Sequence, residues 1–582
     1  MSSSTATRDG RTGRPNVILV ITDDQGYGDL GCTGNPWIQT PNLDTFHGES
    51  LRCTDFHVSP LCTPTRGAIM TGHRPIRNGA WATTWGRSML RKTETTMADV
   101  FADSGYRTGM FGKWHLGDNY PYRPQDRGFQ HVVAHKGGGV GQTPDFWGNN
   151  YFDDTYFHNG KPLPHSGYCT DVWFDEAMKF IESAKEEPFF VYLATNAPHG
   201  PYLVEERYKA LYRGNDAVPE PAFYGMITNI DENFGRLDAF LGEHGLRDNT
   251  ILIFMTDNGS SAGCHLDRNH FVIRGYNAGM RGRKGSYYEG GHRVPFLIRW
   301  PAGGMDGGRD MGAQALHIDL LPTFIDLCDL NAPEGVTFDG TSVAGLLTGT
   351  CQEIPDRTHF LQYRQHTDPP EMWTNAVMTK RWRLVHGKEL YDVQADPGQE
   401  RDVAAEHPDV VAELRAAHEA WWAEISPTLN EYCPIGLGSD AENPIRLDAM
   451  DVMGDVAWNQ GHILMAQKST GRWAVDVERP GEYRFALRRW PKELDLPIDE
   501  CAPPEEAERI PYTPGSESVA LEPVRARLKI FDREEIVDVP KGATDVTFSL
   551  RLEETGVTQL DAWFQDAAGE EQGAYYVYVE RL

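Results

Sequence analysis

Short apolar runs alternate with longer amphipathic stretches between residue 15 and about residue 350. The runs are continuous and rich in Val, Ile, Leu and Phe, a pattern typical of strands that are buried on both faces. Helical spacing of apolar residues recurs between them, over 94–104, 171–187 and 222–245. This alternation predicts an α/β fold in which a mostly parallel sheet is sandwiched by helices. The predicted strands are NVILVIT (16–22), TGMF (108–111), PFFVYLAT (188–195), TILIFMT (250–256) and PFLIRW (295–300).

The pattern changes after about residue 360. Residues 376–393 read as a pair of antiparallel strands, and a helix is predicted from about 407 to 425, so we expect a small α+β subdomain over 361–430. From about residue 442 the apolar positions recur every second residue, which predicts a C-terminal β-sandwich-like domain over 440–582. The main domain then covers 15–360. Apolar residues expected on inward faces of the C-terminal strands are Tyr483, Phe485, Leu487, Val546, Phe548, Leu550 and Leu552.

The charge and the cysteine content of the chain indicate which partners and which cellular compartment to expect. The chain has 84 acidic and 55 basic residues, a formal charge of −29, which repels nucleic acid and anionic membrane surfaces. No apolar run approaches the roughly 18 residues of a membrane span. Nine scattered cysteines favour reduced thiols over a disulfide framework. The polar stretch at 1–14 lacks the apolar core of a secretory signal, so we expect a disordered lead-in and cytoplasmic residence.

Polar residues follow each of the first four predicted strands. TDDQGYGD follows the first strand, GKWHLG the second, NAPHGP the third and TDNGS the fourth. In open α/β sheets, ligands bind at the carboxyl ends of the strands. Four separate loops are therefore expected to converge on one site.

Two of these loops carry oxygen ligands. Asp23 and Asp24 follow the first strand, and Asp257 and Asn258 follow the fourth. Each pair has an ordinary alternative, because adjacent carboxylates often cap turns or helices and Asn-Gly is a common turn dipeptide. Together the four side chains form an all-oxygen set that suits a hard divalent cation such as Ca²⁺ or Mg²⁺.

Four cationic or proton-carrying side chains lie in or near the same loops: Lys113, His115, His199 and Lys284. Any one of them alone is more simply explained as a solvated or structurally paired group. Converging over a cation, they would form a pocket for a tetrahedral oxyanion, and their local charge would have to overcome the negative field of the whole chain.

The stretch SPLCTPTRGAIMTG places Cys62 at the start of a short predicted helix. One interpretation is an inert buried thiol, and another is a thiolate nucleophile activated at a helix N-terminus. The phosphate-binding loop of protein tyrosine phosphatases is excluded, since that loop requires arginine six positions after the cysteine, where this chain has Ala68.

PLCTPTRGAIMTG is similar to the sulfatase signature CxPxR followed by a short helix ending in Thr-Gly, and the chain resembles the type I sulfatases of the alkaline phosphatase superfamily. The resemblance covers about residues 15–425 and leaves out the domain after 440. It implies an alkaline-phosphatase-like fold for the main, catalytic domain. Further landmarks in the expected order are DDQGYGDLGC, GYRTGMFGKWHLG, APHGP, TDNG, RKGSYYEGGHRVP, HIDLLPT, FDG and ELYDVQADPGQERD.

The resemblance implies that a formylglycine-generating enzyme oxidises Cys62 to Cα-formylglycine, directed by Pro64 and Arg66. The aldehyde hydrates, one hydroxyl attacks sulfur, and deprotonation of the other hydroxyl expels sulfate after the alcohol has left. The implied metal ligands are Asp23, Asp24, residue 62, Asp257 and Asn258. Ca²⁺ is the expected cation, with Mg²⁺ and Mn²⁺ as alternatives.

The same resemblance gives roles to the remaining residues. Arg66 would hold the hydrated aldehyde, and Lys113 and His115 would contact it and the sulfate. His199 and Lys284 would lie near the leaving-group oxygen, where one of them acts as general acid. The implied function is hydrolysis of small sulfate monoesters whose alcohol, whether aryl, alkyl or sugar, stays open.

Other functions remain as alternatives at this stage. The first is a phosphonate monoester or phosphodiester hydrolase of the same superfamily, and the second is a glycan-binding module with a vestigial catalytic fold. The C-terminal domain either covers the mouth of the site or pairs protomers in a homo-oligomer. The long Gly-rich and aromatic loop over 135–160 either walls the substrate pocket or packs against the surface.

Overall fold

A computed structural model describes residues 13–582. The lead-in predicted over 1–14 lies outside the described residues, apart from its last two positions. A ten-stranded sheet forms the centre of the molecule, in the order β13-β2-β12-β9-β1-β8-β4-β5-β6-β7. The strands up to residue 316 are β1 Asn16–Thr22, β2 Leu51–Cys53, β3 Phe56–His57, β4 Arg107–Lys113, β5 His131–His135, β6 Thr155–His158, β7 Lys161–Pro164, β8 Phe189–Ala194, β9 Thr250–Thr256, β10 Cys264–Leu266, β11 Val272–Gly275, β12 Phe296–Arg299, β13 Asp310–Met311 and β14 Ala315–Leu316.

The five central strands, β9, β1, β8, β4 and β5, are all parallel. Antiparallel pairing is confined to the flanks, where β12 pairs with β9 and β2, and β6 pairs with β5 and β7. The expected mostly parallel sheet is confirmed. PFLIRW forms a strand, but one that runs against its neighbours.

Alternate residues of β1 enter two hydrophobic cores on opposite faces of the sheet. Leu19 and Ile21 pack in one core with α2, α4 and α9, while Ile18 and Val20 pack in the other with α1, α5 and α7. Burial on both faces explains why the strand sequence is continuously apolar. The helices up to residue 348 are α1 Pro41–Glu49, α2 Cys62–Thr71, α3 Pro75–Asn78, α4 Met97–Asp103, α5 Cys169–Ala184, α6 Glu206–Lys209, α7 Pro221–Glu243, α8 Glu289–His292, α9 Leu320–Cys328 and α10 Ala344–Thr348.

A four-stranded antiparallel sheet follows and packs with the helix α11, Pro408–Ile425. The sequence pattern predicts two strands over 376–393, whereas the structure has three there and a fourth before them. The extra strands arise because two tight turns divide the stretch into segments of four residues each. The strands are β15 His359–Gln362, β16 Asn375–Met378, β17 Trp382–Val385 and β18 Glu389–Asp392.

Two sheets form the C-terminal region, one of seven strands and one of four. They share one hydrophobic core that contains all seven inward residues predicted from the alternation, and a second buried cluster in this region includes Trp490 and Tyr576. The strands are β19 Ile435–Leu437, β20 Ile445–Asp448, β21 Met453–Asp455, β22 Thr470–Val477, β23 Gly481–Arg488, β24 Arg525–Ile530, β25 Arg533–Asp538, β26 Val546–Leu552, β27 Gly556–Gln565, β28 Glu571–Gly573 and β29 Tyr576–Arg581, with the short helices α12 Gln460–Leu464 and α13 Pro504–Glu508.

The C-terminal core extends into the main domain. Met89 and Tyr122, which precede it by more than three hundred residues, are buried in the same cluster, and the Tyr122 hydroxyl donates to the Pro434 carbonyl at 2.7 Å. Between residues 13 and 582, no helix has the length and apolar character that a transmembrane span requires. All nine cysteines fall in this range and are unpaired.

Candidate active site

The ends of β1 and β9 bring the predicted oxygen ligands together. The two strands pair in parallel with Thr22 opposite Thr256, so the residues that follow them are neighbours. The backbone amide of Asp24 donates to Oδ1 of Asp257 at 3.0 Å, and Nδ2 of Asn258 donates to Oδ1 of Asp24 at 3.0 Å. Parallel pairing therefore produces the convergence expected from the sequence.

Cys62 begins helix α2 directly beside these carboxylates. Its sulfur and one oxygen each of Asp23 and Asp24 lie within 4.8 Å of one another, and all three side chains are buried. Burial raises the pKa of the Cys62 thiol to about 12, although Lys113 and Lys284 oppose the shift. Burial therefore opposes the charged thiolate that a cysteine nucleophile requires.

Arg66 lies one helical turn after Cys62 and is fully buried. Its Nη2 and Nε atoms donate to Oδ2 of Asp257 at 2.9 and 3.1 Å, and Nη1 donates to the Lys113 carbonyl at 3.0 Å. The guanidinium thus joins α2 to the ends of β4 and β9. A buried charge held by several hydrogen bonds fixes the orientation of the groups around it.

Two lysines contact the aspartates that follow β1. Nζ of Lys113 lies 2.6 Å from Oδ2 of Asp23, and Nζ of Lys284 lies 2.6 Å from Oδ2 of Asp24. Burial alone would raise the pKa of the Asp24 carboxyl, but Lys284, His199 and Lys113 together hold it well below its usual range. Asp24 is therefore ionised at neutral pH.

Two oxygens in this cluster have no hydrogen-bond partner although they are buried: Oδ1 of Asp23 and Oδ1 of Asn258. An unpaired buried polar atom costs about 1 to 3 kcal/mol, so each calls for an explanation. A hard divalent cation takes carboxylate and amide oxygens as ligands and would satisfy both atoms. The residues present therefore fit such a cation.

The two histidines each use one ring nitrogen to bind a backbone carbonyl. Nε2 of His115 lies 3.0 Å from the Thr83 carbonyl, and Nδ1 of His199 lies 2.6 Å from the Gly200 carbonyl. A carbonyl only accepts, so these nitrogens carry the protons and the opposite nitrogens are free to accept. Burial lowers the pKa of both rings, that of His199 to about 4.

The backbone at two of these positions is in the left-handed region, with φ of 70° at Asp24 and 59° at His115. Such conformations are uncommon for residues with a side chain and are often retained at functional sites.

A cavity of about 260 Å³ opens above Cys62 and is lined also by His115, His199 and Lys284. Asp23, Arg66 and Lys113 lie beneath it. The loop over 135–160 contributes Gly138 and Gln142, so the interpretation of this loop as a pocket wall holds for those two residues. Lining residues that the sequence did not indicate are Leu61, Thr83, Thr84, Trp85, Gln365, Met450 and Trp458.

A second buried cluster lies away from the cavity, where His57, Glu289 and His292 bring possible ligand atoms within 4.8 Å of one another. The Arg383 guanidinium occupies the cluster, with Nε 2.6 Å from Oε1 of Glu289. Nδ1 of His57 lies 3.0 Å from Nδ1 of His292. An arginine in this place pairs the carboxylate and disfavours a cation, so the cluster ties β17 to α8 as a structural network.

Comparison with known proteins agrees with this geometry. The family model for sulfatases matches residues 15–330, and a second model, the C-terminal part of N-sulphoglucosamine sulphohydrolase, matches residues 283–420. Human arylsulfatase A is 31% identical over 456 residues, which cover 69% of this chain and 86% of that protein. An N-acetylgalactosamine-6-O-sulfatase of Bacteroides thetaiotaomicron is 29% identical and covers 69% of this chain and 92% of that protein.

A solved structure, Ps i-CgsB in complex with k-i-k-neocarrahexaose, superimposes with a TM-score of 0.63 at 26% identity, over 72% of this chain and 95% of that one. The phosphonate monoester hydrolase of Agrobacterium radiobacter has a TM-score of 0.50 at 19% identity, over 71% of this chain and 96% of that one, and shares the fold. Because the sulfatase model matches more than half of its residues, and a 31% identical relative aligns over two thirds of it, the chain belongs to the sulfatase family of sulfate ester hydrolases.

Proposed function

We propose that this sulfatase hydrolyses small sulfate monoesters with Cys62 converted to Cα-formylglycine. The observation that carries the proposal is the position of Cys62, which lines the cavity and lies beside two aspartates and two lysines. A sulfate group bound in the cavity would lie between the nucleophile at the start of α2 and the cationic side chains.

Asp23, Asp24, Asp257 and Asn258 would hold one divalent cation, which we expect to be Ca²⁺. When bound, the cation would polarise the sulfate oxygens and lower the pKa of the nucleophilic hydroxyl. Arg66 is fixed by Asp257 and the Lys113 carbonyl and would keep residue 62 oriented. These contacts are made before any substrate arrives, so the site would need little rearrangement.

The cavity side chains would receive the sulfate and move the protons. Nδ1 of His115 is buried and lacks a hydrogen-bond partner, so it can accept a proton or a hydrogen bond from residue 62 or the substrate. His199 and Lys284 reach the cavity on the side of Asp24, where Nε2 of His199 lies 3.7 Å from Oδ2 of Asp24. One of them would protonate the departing alcohol oxygen, either Lys284 with a proton that its ammonium group already carries or His199 after Nε2 has gained one.

The modification is tested by the mass of the tryptic peptide 53–66 from protein made together with a formylglycine-generating enzyme. We expect an aldehyde at residue 62 and an unchanged thiol at Cys53, which lies in the same peptide and is buried in β2. Cys62→Ala should abolish sulfate ester hydrolysis, whereas Cys53→Ala should retain it. An unmodified Cys62 in fully active protein would refute the mechanism.

The cation is tested by removal and replacement. Dialysis against a chelator should abolish hydrolysis of 4-nitrophenyl sulfate, and titration with Ca²⁺, Mg²⁺ and Mn²⁺ should show which ion restores it. Full activity in protein that elemental analysis shows to be free of divalent metal would contradict the assignment.

The phosphonate monoester hydrolase alternative shares the same fold, so substrate preference decides between them. The ratio of kcat/KM for 4-nitrophenyl sulfate and phenyl phosphonate separates the two, and we expect sulfate to be preferred. The alternative of a glycan-binding module with a vestigial site would require loss of a ligand, and all four oxygen ligands are present. Cytoplasmic residence, maturation by a formylglycine-generating enzyme and a homo-oligomer stay predictions.

A further inference from the structure

We propose that the C-terminal region completes the substrate pocket, and that Trp85, Met450 and Trp458 bind the alcohol part of the substrate as a small, uncharged aromatic group. This inference rests on the proposed sulfate ester hydrolysis and specifies its substrate class. The two C-terminal residues lie beyond the parts of the chain that the family models match, 15–330 and 283–420.

The cavity has two chemically different parts. Cys62, His115, His199 and Lys284 form the part that faces the carboxylates, where a sulfate would lie. Trp85, Met450 and Trp458 line the remainder, where both tryptophans are half-buried and Met450 is only 3% exposed, so the two tryptophans present most of the accessible apolar surface. Aromatic rings attract other rings more strongly than the buried area alone accounts for.

The backbone that carries these apolar side chains is fixed by hydrogen bonds between the main domain and the C-terminal region. The Trp85 amide donates to the Met450 carbonyl at 3.1 Å, and the Thr143 amide donates to the Trp458 carbonyl at 3.1 Å. The Trp458 ring packs edge-to-face against Tyr512, with ring centroids 5.2 Å apart. The wall is therefore preformed, which reduces the entropy that a ligand must overcome.

Two of the polar side chains in this part of the cavity, Gln365 and Gln142, are already hydrogen-bonded within the protein, and only the buried Thr84 hydroxyl lacks a partner in the described part of the chain. Gln365 accepts from the Thr83 amide at 3.0 Å and donates to the Thr83 hydroxyl at 2.6 Å. Oε1 of Gln142 accepts from the Gly138 amide at 2.7 Å. A sugar needs several free donors and acceptors for its hydroxyl groups, and these pairs would have to break to supply them.

The size of the cavity and the charge of its lining also favour a small, uncharged alcohol group. A volume of about 260 Å³ lies just below the roughly 300 to 1,000 Å³ of pockets for drug-sized ligands, so one small ester fits inside the cavity and several sugar units do not. Among residues 13–582, no aspartate, glutamate or arginine lines this cavity, so a charged sugar would find no partner beyond Lys284 and the histidines. The overall charge of −29 also opposes a polyanionic chain.

The test uses the matured, metal-loaded full-length enzyme with 4-nitrophenyl sulfate and glucose 6-sulfate. We expect the wild type to prefer the aryl ester by at least about 100-fold in kcat/KM. Trp458→Ala should raise KM for the aryl ester about ten-fold, while kcat changes less than about three-fold, because the lost contact binds substrate and transition state alike. Trp458→Phe should restore most of the affinity.

Trp563→Ala is the matched control, because Trp563 is also half-buried in the C-terminal region but lies outside the cavity, with its indole donating to the Gly471 carbonyl at 3.2 Å. It should leave both kinetic constants within about two-fold of the wild type. Binding without turnover is measured by calorimetry, with phenyl sulfate titrated into Cys62→Ala and into Cys62→Ala combined with Trp458→Ala. The second protein should bind about ten-fold more weakly.

A wild type that hydrolyses glucose 6-sulfate as well as the aryl ester, or an unchanged aryl KM and phenyl sulfate affinity in the Trp458→Ala proteins, would overturn the inference while sulfate ester hydrolysis stands. If the wild type hydrolyses none of the sulfate esters, the proposed function itself fails, and the calorimetry still reports whether the aromatic wall binds phenyl sulfate.

Discussion

Gly138 lies against the ring of His115, in the loop between β5 and β6. A Cβ built on Gly138 would lie 2.3 Å from Cε1 of His115, far inside van der Waals contact. The ring is buried and bonded to the Thr83 carbonyl, so it cannot move aside without losing that bond. We expect Gly138→Ala to lower kcat/KM for 4-nitrophenyl sulfate by about 100-fold, since a displacement of about 1 Å at a catalytic group has effects of this size.

The matched control is Gly242→Ala, because no atom lies within 4 Å of a Cβ at Gly242, which is in α7. This variant should keep wild-type activity and gain a little helix stability. Wild-type kinetics in Gly138→Ala would show that His115 is not held where the structure places it, or that it has no role in turnover.

Asp29 gives a prediction about pH. Burial raises the pKa of its carboxyl to about 7, against the opposing hydrogen bonds from Ser260 and the Gly26 amide, and its Oδ1 atom has no hydrogen-bond partner. The folded-state pKa thus exceeds the unfolded value of about 4. Asp29 therefore contributes stability that is fully present below pH 4 and is lost as the pH rises through 7.

In Asp29→Asn the group no longer titrates, so we expect the fall in thermal midpoint between pH 5 and pH 8 to be about 2 to 4 °C smaller than in the wild type. Scanning fluorimetry at several pH values measures this difference. Asp532→Asn is the control, because that side chain is 90% exposed. The same pH dependence in Asp29→Asn and wild type would contradict the raised pKa.

At the scale of elements, the polar ends of parallel strands could be predicted because the pattern and the chemistry agree. A continuous apolar run indicates a buried strand, and parallel neighbours place their carboxyl ends at one edge, so Asp23 and Asp257 could be expected to meet. The resemblance of the CxPxR stretch to the sulfatase signature then predicted that Cys62 lies at the same edge.

The other half of the cavity could not be predicted in this way. Met450 and Trp458 come from a region with no motif, and they reach the cavity only because the C-terminal sheets dock on the loop over 135–160. Docking depends on the shapes of two surfaces that are far apart in the chain, and no local periodicity encodes it. The positions of Trp85 and Gln365 in the cavity could not be predicted either, because each lies in an irregular segment between elements.

Gln460, at the start of α12, joins those two surfaces. Its amide nitrogen donates to the carbonyls of Gln142 and Phe146 at 3.2 and 3.1 Å, and its oxygen accepts from the Gly148 amide at 2.9 Å. The side chain is fully buried. We expect Gln460→Leu to destabilise the docking by about 1 to 3 kcal/mol, because it leaves the buried Gly148 amide unpaired. The carbonyls of Gln142 and Phe146 keep the backbone amides of Asp145 and Asn149 as donors.

Hydrogen exchange measures the effect of Gln460→Leu locally. Amides over 138–149 and 457–464 should exchange faster, while the β1 and β9 amides keep wild-type protection. Gln394→Leu, at an exposed position, should change neither set. Uniformly faster exchange across the whole chain would contradict a local docking role, and so would no change over 138–149.

At the scale of the whole molecule, a charge of −29 surrounds a cavity with cationic side chains at its floor. Long-range repulsion of an anionic substrate is screened by salt, because the Debye length falls from about 30 Å at 0.01 M to about 8 Å at 0.15 M, whereas buried groups are screened much less. We expect kcat/KM for 4-nitrophenyl sulfate to rise about two- to five-fold with NaCl over this range. A fall would show that the cavity cations dominate the encounter.

The position of β1 has a consequence for how the molecule is made. Of the strands in this sheet, β1 is synthesised first, yet it lies in the middle, between β8 and β9. Asp23 and Asp24 can meet Asp257 and Asn258 only after residue 258 has been synthesised, so the proposed cation site is complete only when nearly half of this chain has been made. A translation product that stops before residue 257 would be inert, however well its first half had collapsed.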